Sequence, residues 1–153
     1  MISRREFLVQ AAGLAAVAAA VGPLRGVAPG PLVTVYKNPT CKCCVRWVEH
    51  LKLNGFAAEA HDMDSVDAVK DRYGVPQAVR GCHTGVVDGY VIEGHVPADD
   101  ITRLLKERPK VAGLAVPGMP PSSPGMYQPG DPKEPYDVLT FQKSGATTKF
   151  AAH

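Results

Sequence analysis

No stretch of this chain is apolar for long enough to cross a bilayer. The best candidate, Val9 to Val21, is Ala-rich and only weakly apolar, and it falls short of the ~20 residues a spanning helix needs. A surplus of charge is missing too. The whole chain carries 17 basic and 15 acidic side chains, but Arg4, Arg5, Arg25 and Glu6 lie in the first 28 residues, which leaves 14 of each in the rest. A balanced surface offers nothing special to nucleic acid or to an anionic membrane. No internal repeat is visible.

What stands at the N-terminus is an export address. Ser3-Arg4-Arg5-Glu6-Phe7-Leu8 fits the twin-arginine pattern, and the short Ala-rich segment follows it in register. An ordinary N-terminal helix with a chance Arg-Arg pair would not account for Phe7-Leu8 and the apolar segment together. Residues 1–28 are therefore expected to be a signal peptide, with the periplasm as destination and no stable membrane span after cleavage. Residues 29–153 remain as a single domain large enough to bury a core without a staple.

Cysteine is scarce but concentrated: three of the four in the chain fall within Cys41-Lys42-Cys43-Cys44. Before them, Leu32-Val33-Thr34-Val35-Tyr36 reads as a buried strand bounded by Pro31 and Pro39. After them, Cys44, Trp47, Val48 and Leu51 recur at the spacing of a helix face turned toward a core. The thiols thus belong to a strand-to-helix turn, where free backbone N–H groups and the helix dipole favour anions. A thiolate is stabilised there, and the thiolate is both nucleophile and metal ligand.

The remaining elements follow in order. Asn54-Gly55 ends the first helix, and Phe56 to His61 is a second strand. Val66, Val69 and Tyr73 mark a second helix, capped within Asp62 to Ser65 and ended by Gly74. Cys82 to Val87 and Tyr90 to His95 form a hairpin about Asp88-Gly89. A third helix opens at Ala98 or Asp99, buries Ile101, Leu104 and Leu105, and stops at Pro109. Beyond Val116 the Pro- and Gly-rich stretch through Met119 and Met126 can be neither helix nor central strand. Tyr136 to Phe141 reads as a last strand at the sheet edge, with Phe150 to His153 frayed. The expected fold is α/β (α+β) and thioredoxin-like: a central mixed sheet of about four to five strands, flanking helices and a Pro/Gly/Met-rich loop. In that plan a proline before the third strand faces the cysteines. Pro76 is the candidate, and its isomer is open at this point.

Two chemistries compete for the thiols. Cys41 and Cys44 have the C-x-x-C spacing of a disulfide oxidoreductase, with Cys41 attacking and Cys44 resolving. Cys43 is then surplus, and a third thiol beside a working pair invites wrong disulfides. A copper site has a use for it, because thiolates and thioethers select Cu(I) and a thiolate can bridge two ions. Cys43 and Cys44 project about 100° apart on a helix, which suits neighbouring ions of a small cluster better than one shared ion. Cys82, just after Pro76 in the chain, would approach the turn in this fold, with His83 beside it. His95 ends the return strand on the same side, and Met119 and Met126 add thioethers in a loop with no core to fill.

Blander readings exist for each. A lone methionine usually fills core and a lone histidine usually sits at a hydrogen-bonded site. A purely structural disulfide pair would close tiny loops of little value among Cys41, Cys43 and Cys44. A structural zinc site usually brings two well-separated ligand pairs. His50, His61 and His153 have no functional signal, and Trp47 falls on its helix's core stripe.

The run Cys41-Lys42-Cys43-Cys44-x-x-Trp47-x-x-His50-Leu51 resembles the C-x-C-C-x-x-W signature of the CopG-like family of periplasmic copper-associated proteins. The likeness continues through Gly74-Val75-Pro76, Cys82-His83-Thr84 and Gly89-Tyr90-x-x-Glu93-Gly94-His95-Val96-Pro97. It extends to Pro117-Gly118-Met119-Pro120 and Ser123-Pro124-Gly125-Met126, so it covers about Leu32 to Phe150. One departure is Pro121-Ser122, where the family pattern leads one to expect a glycine. The resemblance implies a thioredoxin-like fold and a copper–thiolate site. It implies that Cys41, Cys43, Cys44 and Cys82 are ligands or redox thiols, with His83, His95, Met119 and Met126 at motif positions. The expectation is a periplasmic copper-binding protein that holds Cu(I), up to a multinuclear thiolate cluster, and serves copper handling or resistance. Its partners would be copper ions and other periplasmic copper-handling proteins. The alternative is a thioredoxin-like oxidoreductase using Cys41 and Cys44.

Overall fold

In the computed structural model, which describes residues 30–153, one seven-stranded sheet carries helices on both faces. Strand β1 (Leu32–Lys37) leads into helix α1 (Lys42–Leu53), strand β2 (Ala57–Asp62) and helix α2 (Asp67–Tyr73). A short 3-10 turn at Gln77–Val79 precedes the hairpin of β3 (His83–Val87) and β4 (Tyr90–Gly94). Helix α3 (Ala98–Glu107), then β5 (Gly113–Val116), β6 (Asp137–Phe141) and β7 (Thr147–Ala152) complete the order.

The sheet runs β2-β1-β3-β4-β5-β6-β7. β1 is parallel to β2 and antiparallel to β3, β3 and β4 are antiparallel, and β4 is parallel to β5 across α3. β5, β6 and β7 then meander antiparallel.

The expectation of four to five strands is therefore too small. β5 is a four-residue strand, Gly-Leu-Ala-Val, buried throughout, with no alternation to mark it. β6 is no edge strand either, because β7 pairs along it. The C-terminal residues expected to fray extend that ladder: His153 N–H donates to Tyr136 O at 2.9 Å and Tyr136 N–H to His153 O at 3.1 Å. No cis peptide bond occurs among the described residues, so Pro76 is trans.

Residues form these elements for visible reasons. Val33 and Val35 of β1 alternate inward, and Cys44, Trp47, Val48 and Leu51 are the buried face of α1. Asp88 and Gly89 both take positive φ, 48° and 87°, as a tight two-residue hairpin turn requires. One core cluster joins β1, α1, β4 and α3 through Val33, Trp47, Leu51, Ile92, Ile101 and Leu104. Full burial of side chains of that size contributes about 1.5–3 kcal/mol each. A second, smaller cluster of Val75, Val79, Val91, Ala115 and Phe141 lies apart from it, with Tyr73 of α2 packed against it. No helix among the described residues is long and apolar enough to cross a membrane. The expected signal segment, residues 1–28, lies outside the described residues.

Candidate metal centre

The turn between β1 and α1 is wound by Asn38. Its side-chain oxygen accepts from Thr40 N–H at 2.9 Å and from Thr40 Oγ1 at 2.6 Å, while its carbonyl accepts from Cys41 N–H at 3.1 Å. Cys41 is thereby set as the residue preceding α1, with Cys43 and Cys44 in the first turn. Sheet register brings the distant thiol to them. Lys37, the last residue of β1, pairs with His83, the first of β3, so Cys82 arrives where the β1–α1 turn begins. Thr84 pairs with Glu93 on β4, and the same register continued brings His95 level with Cys82.

Cys41 and Cys44 form a disulfide, with Cα atoms 5.4 Å apart, while Cys43 and Cys82 are free and half-buried. Cys82 Sγ lies 3.3 Å from Cys44 Sγ and 3.9 Å from Cys43 Sγ, and Cys43 Sγ lies 3.4 Å from Cys41 Sγ. All four sulfurs fall within 4.8 Å of one another. A second group meeting the same limit is Cys82, His83 and His95, so Cys82 belongs to both.

The two histidines each turn a ring nitrogen to this sulfur. His95 Nδ1 donates to Pro124 O at 2.7 Å, which leaves Nε2 unprotonated on the neutral ring, 3.3 Å from Cys82 Sγ. His83 Nδ1 is 3.4 Å from the same sulfur, its Nε2 is buried without a hydrogen-bond partner, and Trp47 packs on its ring at 4.3 Å between centroids. Burial holds the His83 pKa well below the usual value, helped by His95 and Lys70; burial also lowers that of His95, against the bond to Pro124. Both rings are neutral near pH 7, the form that binds metal. Cys82 behaves differently from a helix-end thiol. Burial first, then Cys43, pushes its pKa up to about 12, so the thiol is protonated near pH 7.

The methionine loop is tied to the site through its backbone. Besides the His95–Pro124 bond, Arg46 Nε donates to Gly125 O at 2.6 Å. Gly125 has φ 86°, and a Cβ there would stand 2.7 Å from Cys43 O and 2.9 Å from Trp47 N. Met126 follows it, half-buried, whereas Met119 takes φ 49° and is 39% exposed. Structure thus brings together the four cysteines, His83 and His95, and seats the stretch next to Met126, leaving Met119 at the surface.

Several residues at the site carried no functional reading in the sequence. Trp47 is core, as its spacing suggests, yet it also walls the site through His83, and its Nε1 donates to Val96 O at 2.8 Å. Lys70, Glu93 and Thr84 form a buried polar knot behind Cys82. Its signal was present. Lys70 sits at the i+4 place of the stripe Val66, Val69, Tyr73, and Glu93 interrupts the apolar return strand of the hairpin. His50, without functional signal, accepts Ala98 N–H at 3.0 Å through Nε2 and so caps α3.

Comparison with known proteins follows the same residues. A family described as "Protein of unknown function, DUF411" matches residues 79–126, the segment from before Cys82 to Met126. No curated protein matches. The solved structure titled "Copper resistance protein copG- Form 2" is 44% identical, with a TM-score of 0.75, over 81% of this chain and 98% of that one. "Copper resistance protein copG- Form 1" is likewise 44% identical, with a TM-score of 0.74, over 80% of this chain and 96% of that one. With identity that high running through nearly all of the solved chains, this chain belongs to the CopG family of copper resistance proteins.

Proposed function

We propose that this protein binds copper in the periplasm, with Cys41, Cys43, Cys44 and Cys82 holding Cu(I) as cargo for copper handling or resistance. The observation that carries the reading is the mutual approach of four sulfurs within 4.8 Å. Metal–thiolate bonds of ~2.3 Å fit such a set. Membership of Cys82 in both close groups suits a bridging thiolate, and hence a multinuclear site with His83 and His95 at its nitrogen side. Buried His83 also keeps an orphaned nitrogen, an unpaired polar atom of the kind a binding site explains. Met119 and Met126 would add thioethers. The order β2-β1-β3-β4, with α1 leaving β1 at the cysteines, supports a thioredoxin-like origin for the scaffold.

Loading all four sulfurs requires an external dithiol to reduce the Cys41–Cys44 disulfide by exchange: the dithiol passes two electrons and two protons to it, giving two thiols, and is itself oxidised to a disulfide. Copper then displaces the thiol protons, which pass to solvent.

That disulfide is also the observation favouring the second reading, thiol–disulfide exchange through Cys41 and Cys44. The neighbouring free thiols are poorly aimed for exchange with it. Attack on a disulfide runs along the S–S axis. An in-line Cys82, 3.3 Å from Cys44, would stand about 5.3 Å from Cys41, given an S–S bond of ~2.05 Å. The four sulfurs all lie within 4.8 Å, so they are clustered rather than in line.

Cys43→Ser tests the choice. Copper per reduced protein should fall sharply while unfolding stays cooperative. Full copper loading of the variant, or brisk disulfide turnover by copper-free wild type, would favour the oxidoreductase.

A further inference from the structure

We propose that Lys70 and Glu93 are positioning residues that hold Cys82 in reach of α1, an inference that rests on the copper reading of the site. Cys82 lies outside regular structure, ahead of β3, so no ladder bond of its own strand sets the place of its sulfur. The backbone on both sides of it is gripped instead. Glu93 Oε1 accepts Gly81 N–H at 2.6 Å, and Lys70 Nζ donates to His83 O at 3.3 Å. The two grips are joined, because Lys70 Nζ also donates to the same Glu93 oxygen and to Thr84 Oγ1 at 3.0 Å. Thr84 Oγ1 in turn donates to Glu93 Oε2 at 2.9 Å. Lysine and glutamate side chains are 2% and 0% exposed.

A purely stabilising role is a poor account of this pair. Taking two charges out of water costs more than their attraction returns in many proteins, and well-packed apolar replacements are often neutral or better. What an apolar pair cannot do is accept Gly81 N–H or donate to His83 O. The knot also works from the side away from the sulfurs. Thr84 turns to Lys70 of α2, while His83, the next residue back, turns to Trp47 of α1. Cys82 is thus fixed from behind without any charged group occupying the ligand space.

The test reads sulfur geometry without copper. With Cys41 and Cys44 disulfide-bonded, Cys43 and Cys82 are the two free thiols, 3.9 Å apart. Phenylarsine oxide condenses with two such thiols, forming two As–S bonds and releasing its oxygen with both protons as water. The oxidation states of arsenic and sulfur do not change. Two double variants are compared with wild type: Lys70→Met with Glu93→Met, which removes the acceptor for Gly81, and Lys70→Met with Glu93→Gln, which keeps it. Arsenical affinity should drop about tenfold or more in the first, the scale seen when supports of metal ligands are removed, and by clearly less in the second, which loses only the Lys70 grip on His83. Wild-type affinity in the folded Met/Met variant, or equal loss in both, overturns the proposal. Should Met/Met not fold, Thr84→Val loosens the knot more gently. Weakened capture by that folded variant upholds the proposal and unchanged capture sinks it. Wild type that captures the arsenical but takes up no copper would instead refute the copper reading alone.

Discussion

His95 donates from Nδ1 to the carbonyl oxygen of Pro124, and that one bond sets what its other nitrogen does. The ring is locked with Nε2 bare and facing Cys82 Sγ at 3.3 Å. Tether and candidate ligand are the same side chain, and a substitution can separate them. Asparagine reproduces the Nδ1 donor but has no atom where Nε2 stands. His95→Asn should keep stability to within about 1 kcal/mol, the net worth of one hydrogen bond. Its Cu(I) affinity, measured by competition with a chelator, should fall about tenfold or more. Unchanged affinity would make His95 a tether only.

Gly125 is the contact point between the methionine loop and α1. An alanine there meets Cys43 O at 2.7 Å and Trp47 N at 2.9 Å, and must also hold φ 86°. Gly125→Ala should cost about 1–3 kcal/mol in urea unfolding. It should also free His95 from Pro124, so copper affinity falls even though no ligand is altered. Wild-type stability with wild-type affinity would show that the loop does not bear on the site.

Acid should loosen the fold through His83 and His95. Both pKa values are lowered in the folded state, by burial first. The unfolded chain then binds protons below its pKa of ~6.5 while the fold does not. Their stabilising contribution is therefore complete above pH ~6.5 and lost as pH falls from there toward the depressed folded values, at up to about 1.4 kcal/mol per pH unit for each histidine. Urea midpoints of the metal-free protein from pH 7.5 down to 5 measure this, and His83→Gln should flatten the slope. A midpoint independent of pH would contradict it.

Export is tested at the N-terminus. Lysine at both Arg4 and Arg5 should leave the precursor in the cytoplasm by fractionation, since the twin-arginine route reads the pair itself. Unchanged periplasmic recovery would exclude that route.

What the chain disclosed of its fold followed from how regular each segment's pattern is. The α1 stripe was legible because Cys44, Trp47, Val48 and Leu51 keep helical spacing without exception. Asp88-Gly89 announced the hairpin by turn chemistry alone. β5 was hidden because a four-residue apolar run has no period to distinguish strand from helix or loop. β7, Thr-Thr-Lys-Phe-Ala-Ala, lies largely in solvent and lacks the alternation of a half-buried strand, so only its pairing with β6 reveals it. At the site the cysteines advertised themselves by crowding. Lys70 and Glu93 signalled only that each interrupts an apolar pattern, and their partnership shows only when α2 and β4 place them in contact. The place of the methionine loop was equally unreadable, because it depends on a gap at Gly125 rather than on any side chain.

The sulfurs of Cys44 and Cys82 touch across a sequence separation of 38. On the copper reading, an ion shared between them is a removable cross-link that only the folded chain can accept. Occupancy then adds to folding stability by mass action, about 2.7 kcal/mol when free copper reaches 100 times the dissociation constant. The loaded protein would resist unfolding and proteolysis better than the empty one. Its steady-state amount would follow copper supply without any change in the rate at which it is made.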